Sequence, residues 1–394
     1  MSRTRWPLRR LGRVLAISLL LFVVAAIVVA AATRTGRYLV RAAWEEGKIL
    51  ARRRPITAVL ADSTVPTVVR DRLQLVLEAR AFAVDSVRLD AGESYTTYSP
   101  LDSDTLVVVV SAATRDRLRQ HRWWFPIVGW VPYKGFFQPE QAMAEARRLE
   151  ADGYDTYVRP ASAFSTLGWF NDPIVSSTLR ADSLNLVDTV IHELLHNSFY
   201  APGQAVFNES FANFVGARGA MWFYSARGDS TAVDVLERRW HDERLLGAFW
   251  TRVYNSLDSA FAAHPDDDSV SRVLRLAARD SVYTSMRTVL LTEVGPEFQI
   301  YDPSALERTR FDNALLLARR IYLTDLDLFE AVYAREGRDL RRTIARVIEL
   351  AGERREDPYG ALRSWLPRRK PVTPANVGAS RRRPVIPAKA GIGT

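Results

Sequence analysis

The chain has 394 residues, 54 Lys and Arg against 45 Asp and Glu for a formal charge of +9, and no cysteine. This length can hold one large domain or two ordinary ones with a full core. The lack of cysteine excludes disulfides, thiolate metal ligands and a cysteine nucleophile, so a catalytic metal would need His and carboxylate ligands. The charge points to no nucleic-acid partner. Five Arg lie in residues 1–13 and seven Lys or Arg in 367–394; removing these twelve leaves 42 basic against 45 acidic groups, a body at −3.

After the basic segment 1–13, Val14 to Ala32 is a run of nineteen residues without a charge. A bilayer core takes about 20 apolar residues, so the run predicts a single-pass membrane anchor. The competing reading is a cleaved signal peptide ending near Ala30-Ala31-Ala32, although signal cores usually have only about 7 to 15 apolar residues. In either case the Arg cluster stays cytoplasmic. The body, 33–366, is then expected on the far side of an inner membrane, in a periplasmic or other extracytoplasmic space. At the other end, "PRRKPVTPANVGASRRRPVIPAKAGIGT" (367–394) has no structural period and reads as a disordered basic tail.

Within the body, "RDRLQLVLEARAFAVDSV" spaces Leu73, Val76, Leu77, Phe82 and Val84 close to a helical period. "TLVVVVSAA" (105–113) is a β-branched run of strand length, and "WWFPIVGWVPYKGFF" (123–137) is aromatic with Pro and Gly breaks, as in a hairpin. A charged helix follows over Pro139 to Asp152, then a strand in "YDTYVRPASAFST". From Asp182 to Glu353 the pattern is almost wholly helical. Strands first and helices after predict an α+β fold, a small strand-containing layer followed by a mostly helical half.

The chemistry concentrates in "VIHELLHNSFYAPGQAVFNESFANFVG" (190–216). Val187, Val190, Ile191, Leu194 and Leu195 form one helical stripe with Asp182 or Ser183 as N-cap, and Pro202-Gly203 stops it. At about 100° per residue, His196 lies only about 40° around the helix from His192, so one metal can meet both imidazoles while Glu193 reaches a water beside it. A catalytic zinc takes three protein ligands and keeps one open position. Glu209, thirteen residues past His196, supplies the third from a second helix, where Ala212 and Gly216 on the same face permit close approach. Asn208 and Asn213 are candidates to orient these ligands. Tyr200, Tyr301 and Tyr322 are candidate oxyanion donors.

Over most of residues 36–350 the sequence resembles the bacterial predicted aminopeptidases, membrane-associated zinc peptidases related in plan to gluzincins. The resemblance rests on "RLQLVLEARAFAVDSV", "WWFPIVGWVPYKGFF", "ASAFSTLGWFNDPIVSSTL", "IHELLHNSFY", "FNESFANFV" and "FDNALLLARRIY", in that order. It implies a zincin-like metallopeptidase that acts on peptides, with His192, His196 and Glu209 as Zn²⁺ ligands and Glu193 as catalytic base. By analogy with the zincin fold, Leu167, Gly168 and Trp169 would belong to the edge strand that pairs with an extended substrate. The alternatives are a membrane-anchored endopeptidase of envelope protein quality control and a non-catalytic tethered scaffold whose His pair is structural.

Overall fold

A computed structural model describes residues 14–15, 17–18, 20–21, 32–102, 107–125, 129–161 and 172–367. The elements in chain order are α1 (Arg34–Ala51), β1 (Arg54–Pro55), α2 (Ile56–Ala61), α3 (Thr67–Phe82), β2 (Thr97–Ser99), β3 (Val108–Thr114), β4 (Trp123–Phe125), β5 (Gly129–Val131), β6 (Tyr133–Phe136), α4 (Pro139–Ala151), β7 (Tyr154–Pro160) and β8 (Ile174–Val175). The helical half continues with α5 (Ser183–Ser198), α6 (Ala205–Ser225), α7 (Ser230–Ala262), α8 (Ser269–Val289), α9 (Pro303–Glu307), α10 (Asn313–Leu323), α11 (Leu326–Arg335), α12 (Leu340–Glu353) and α13 (Pro358–Trp365).

The fold is mixed α and β and mostly helical. Its described strands divide among three small sheets because they are short and interrupted by Pro and Gly. The order β6–β3–β7 is antiparallel throughout, with Val110 opposite both Lys134 and Val158. Val110 and Ala112 of β3 face α4 and form a side core with Phe136, Ala142, Ala146 and Leu149. The second sheet, β1–β2–β8, pairs β2 with β8 in parallel through Tyr98↔Ile174 and Ser99↔Val175. The β4–β5 hairpin sets Trp124 opposite Trp130, both exposed.

Asp155 on β7 fastens the strand layer to the helices. Its fully buried carboxylate accepts hydrogen bonds from Arg279 of α8 at 2.6 Å and from the Asn313 backbone N–H of α10 at 3.1 Å. The main core is built around α6, which is buried on nearly every side. Phe207, Phe211 and Phe214 recur at helical spacing and meet the Phe329 ring of α11 at centroid distances of 5.6, 5.5 and 5.8 Å.

Two expectations about the fold are corrected. Among the described residues no helix is long and apolar enough to cross a membrane, so the transmembrane helix of the expected fold is not found there and the membrane contact expected through it is not supported. The first long described helix, α1, begins at Arg34 and carries charged side chains on every turn. The zincin-like plan is not shown either, since the strands form three small sheets and no single larger one. Most of 14–32 and nearly all of the tail from 367 lie outside the described residues, as do Leu167, Gly168 and Trp169 of the expected edge strand.

Candidate metal centre

Helix α5 starts where its sequence places the cap: the Asp182 carboxylate accepts from Asn185 N–H at 2.8 Å. Leu186, Val187, Val190, Ile191, Leu194 and Leu195 are all at most 1% exposed, so the apolar stripe is driven into the core, while His192, Glu193 and His196 lie beside it and stay partly exposed. The helix ends at Ser198, ahead of Pro202-Gly203, and the chain turns back with Gly203 at φ +78°. Asn208 closes this turn. Its side chain accepts from Ala201 N–H and donates to Ala201 C=O, both at 2.9 Å, so it fixes the α5–α6 angle and touches no ligand.

Helix α6 approaches α5 closely because Gly216 and Gly219 face it. A Cβ on Gly216 would stand 2.2 Å from Asp188 Oδ1, 3.0 Å from the Asp188 carbonyl and 3.1 Å from His192 Cβ. A Cβ on Gly219 would stand 2.8 Å from Ile191 Cγ2. At this separation Glu209 meets both histidines, its Oε2 lying 3.4 Å from His192 Nε2 and 3.8 Å from His196 Nε2. The three ligand atoms all fall within 4.8 Å of one another. Atoms bound about 2.0–2.1 Å from a tetrahedral Zn²⁺ stand roughly 3.4 Å apart, so the donor set and its spacing fit that ion with small adjustments. The side chains of His192, His196 and Glu209 remain 13, 23 and 28% exposed, which leaves a side open to a further ligand.

The charges suit a cation. Burial opposes ionisation of Glu209, but hydrogen bonds from His192 and His196 hold its carboxyl far below the usual range. Burial would likewise lower His192; the bond to Glu209 and the charges of Glu193, Glu209 and Asp188 outweigh it and push His192 up to about 9. Burial raises Glu193 against the opposing pull of the two histidines, which brings a carboxylate toward the range useful to a base near neutrality.

Behind the ligands lies a layer that the sequence reading found only in part. Asn213, one turn past Glu209, donates to Glu243 Oε2 at 3.2 Å and to Tyr322 C=O at 3.4 Å, thereby tying α6 to α7 and α10. Glu243 also accepts from the Tyr301 hydroxyl at 3.2 Å, so Tyr301 supports the network from behind. Asp188, one turn before His192, is raised to about 7 by burial and then by the charge of Glu243. Asp188 was visible in the sequence as D-x-x-x-H, whereas Glu243 carries no local signal.

Near the cluster, Arg159 at the end of β7 donates to Tyr322 Oη at 3.3 Å, with its guanidinium 5.6 Å from the ring centre. Because that oxygen accepts from Arg159, the phenol proton stays available for another acceptor. Burial and then the charge of Glu209 raise the Tyr322 phenol. Tyr133 on β6 is 41% exposed, yet it is crowded enough that burial and then Glu209 raise it too. Tyr200 is 62% exposed, and its phenol is close enough to act on Tyr133.

A two-histidine, one-glutamate cluster with an adjacent carboxylate, held between two close-packed helices, offers a set of donors that could hold a metal ion. The family model described as "Putative aminopeptidase" matches residues 37–361, and the chain belongs to that family. No curated protein and no solved structure matches the chain.

Proposed function

We propose that the protein is a zinc-dependent peptidase that hydrolyses peptide bonds, and specifically an aminopeptidase. The observation that carries this reading is the convergence of His192 Nε2, His196 Nε2 and the Glu209 carboxylate within 4.8 Å, with Glu193 as the next residue along α5. The family membership supports a peptidase independently of that geometry.

A Zn²⁺ held by these three residues would supply Lewis acidity, polarising a carbonyl and lowering the pKa of water to about 7. The chain's own residues do the rest. Glu193, its carboxyl raised by burial, takes the proton of the attacking water and passes it to the leaving amine. Tyr322, with its oxygen turned to Arg159, is placed to donate to the negative charge that develops on the scissile carbonyl oxygen. Asn213, Glu243 and Asp188 hold the ligand helices in register.

Glu193→Gln keeps the shape of the site and removes the base. The variant is expected to bind zinc as the parent does and to hydrolyse peptides slower by about 10²–10⁴-fold. Turnover by Glu193→Gln at the parent rate would end the assignment.

A further inference from the structure

The sheet β6–β3–β7 has two unlike faces. Val110 and Ala112 turn toward α4 and its side core, so Val109 and Ser111, with the residues directly opposite them, lie on the other face. The register sets Arg159 opposite Val109, and sets Tyr133 and Tyr157 opposite Ser111. This face meets α10, where Arg159 donates to Tyr322 Oη at 3.3 Å. Tyr322 is tied in turn to α6, because its carbonyl accepts at 3.4 Å from Asn213, one turn past Glu209. The charges of Glu209 and Arg159 both act on the phenols of Tyr322 and Tyr133, in keeping with one space shared by the sheet face and the metal cluster.

Arg159 is partly withdrawn from water, yet no carboxylate pairs with it among the described residues. Its two acceptors are both uncharged, Tyr322 Oη and, at 3.4 Å, the Pro160 carbonyl. Residues 162–171, which continue the chain from β7, contain no Asp or Glu. Glu209, the acid of the neighbouring cluster, is engaged by His192 and His196. By contrast Arg218, Arg275 and Arg279 each meet an acid, Glu330, Asp116 and Asp155, at 2.6, 3.0 and 2.6 Å. A guanidinium carries five N–H donors in a planar fork, so three of those on Arg159 remain for an anion that the protein itself does not supply.

We propose that Arg159 binds the C-terminal carboxylate of the substrate, so that di- and tripeptides are the substrate class of the site. A carboxylate is the planar anion that matches the guanidinium fork, and the pair is charge-assisted. The length limit follows from Tyr322. With its hydroxyl about 2.8 Å from the scissile carbonyl oxygen, a guanidinium 3.3 Å from that hydroxyl lies within about 6 Å of the reacting group. An extended chain advances about 3.3–3.6 Å per residue, so a carboxylate one or two residues past the scissile bond meets Arg159 and a later one overshoots it. The inference rests on the peptidase reading above and on the place of Tyr322 within it.

The test measures kcat and KM of the zinc-loaded full-length protein, and of its Arg159→Gln and Arg159→Lys variants, on trialanine, pentaalanine and the C-terminal amide of each. The parent is expected to favour trialanine over its amide by about 10- to 100-fold in kcat/KM, the worth of a charge-assisted pair, and to treat pentaalanine and its amide nearly alike. Arg159→Gln should erase the preference, and Arg159→Lys, which keeps the charge, should retain part of it. A parent indifferent to amidation of trialanine would overturn the proposal. So would an Arg159→Gln variant slowed by the same factor on both tripeptide forms, since the guanidinium would then serve only to turn the Tyr322 hydroxyl. Calorimetric binding of trialanine and its amide to the parent separates the two readings. Hydrolysis of neither, with trialanine still bound more tightly, would refute the peptidase and keep the carboxylate site; hydrolysis of both without preference would refute the carboxylate site alone; neither hydrolysis nor a preference in binding would refute both.

Discussion

Gly216 supports a quantitative test of how the two ligand helices are held together. Alanine there adds one carbon that would meet Asp188 Oδ1 at 2.2 Å, the Asp188 carbonyl at 3.0 Å and His192 Cβ at 3.1 Å. The Asp188 carboxylate can rotate away, but the carbonyl and His192 Cβ belong to the α5 rod, so α6 must retreat by several tenths of an ångström. Glu209 lies seven residues earlier on nearly the same face of α6 and retreats with it. Overpacking costs about 1–3 kcal/mol, and the better helix propensity of Ala returns about 1 kcal/mol. Gly47, in α1, has nothing within 4 Å of the corresponding position, so Gly47→Ala should keep only the propensity gain. The two variants, compared by urea unfolding without metal, should therefore differ by about 1–3 kcal/mol in favour of Gly47→Ala. Gly216→Ala should also bind zinc about 10- to 100-fold more weakly in a chelator competition, as ligand-orienting defects do. Equal stability shifts for the two variants, or unchanged zinc affinity in Gly216→Ala, would refute the close-packing argument.

Tyr322→Phe should leave metal content unchanged and lower kcat by about 10²–10³-fold, the effect of losing one oxyanion donor; steady-state kinetics with unaltered kcat would remove Tyr322 from the reaction. Asp312 caps α10 through Leu315 N–H at 2.9 Å, and burial raises its carboxyl to about 6. An acid held above its unfolded value of about 3.9 favours the folded state when protonated, so its stabilisation is complete below about pH 4 and is lost as pH rises through about 6. Asparagine caps equally well and does not titrate, so Asp312→Asn should gain on the parent by up to about 3 kcal/mol between pH 4 and pH 7. Parallel stability curves over that range would contradict this assignment.

The residues that converge in the candidate metal site could be read from the sequence because they obey short-range rules. His192, Glu193 and His196 share one turn of a helix whose apolar stripe and Asp182 cap are explicit, and Glu209 lies on the next helix, so little chain separates it from the pair. The helical half and the strands at 108–114, 123–136 and 154–160 were legible for the same reason. What periodicity does not encode is which strand pairs with which, and the division into three small sheets came only from the coordinates. The charge-free run at 14–32 lies mostly outside the described residues, and no described helix meets the length and apolarity a membrane requires. Arg159 and Glu243 reach the site from elements outside the motif, and each taken singly looks like an ordinary surface charge in the sequence. Asn208 was noticed for the right neighbourhood but serves the loop, because its amide matches the donor and acceptor of Ala201.

The central claim is that His192, His196 and Glu209 form one metal site. Metal analysis of the full-length protein after zinc loading and desalting, beside His196→Ala and Glu209→Ala treated identically, tests it most directly. About one Zn²⁺ per parent chain and a marked loss in both variants is the predicted result, since a catalytic zinc needs all three protein ligands. A parent that retains no zinc, or variants that retain it fully, would contradict the account.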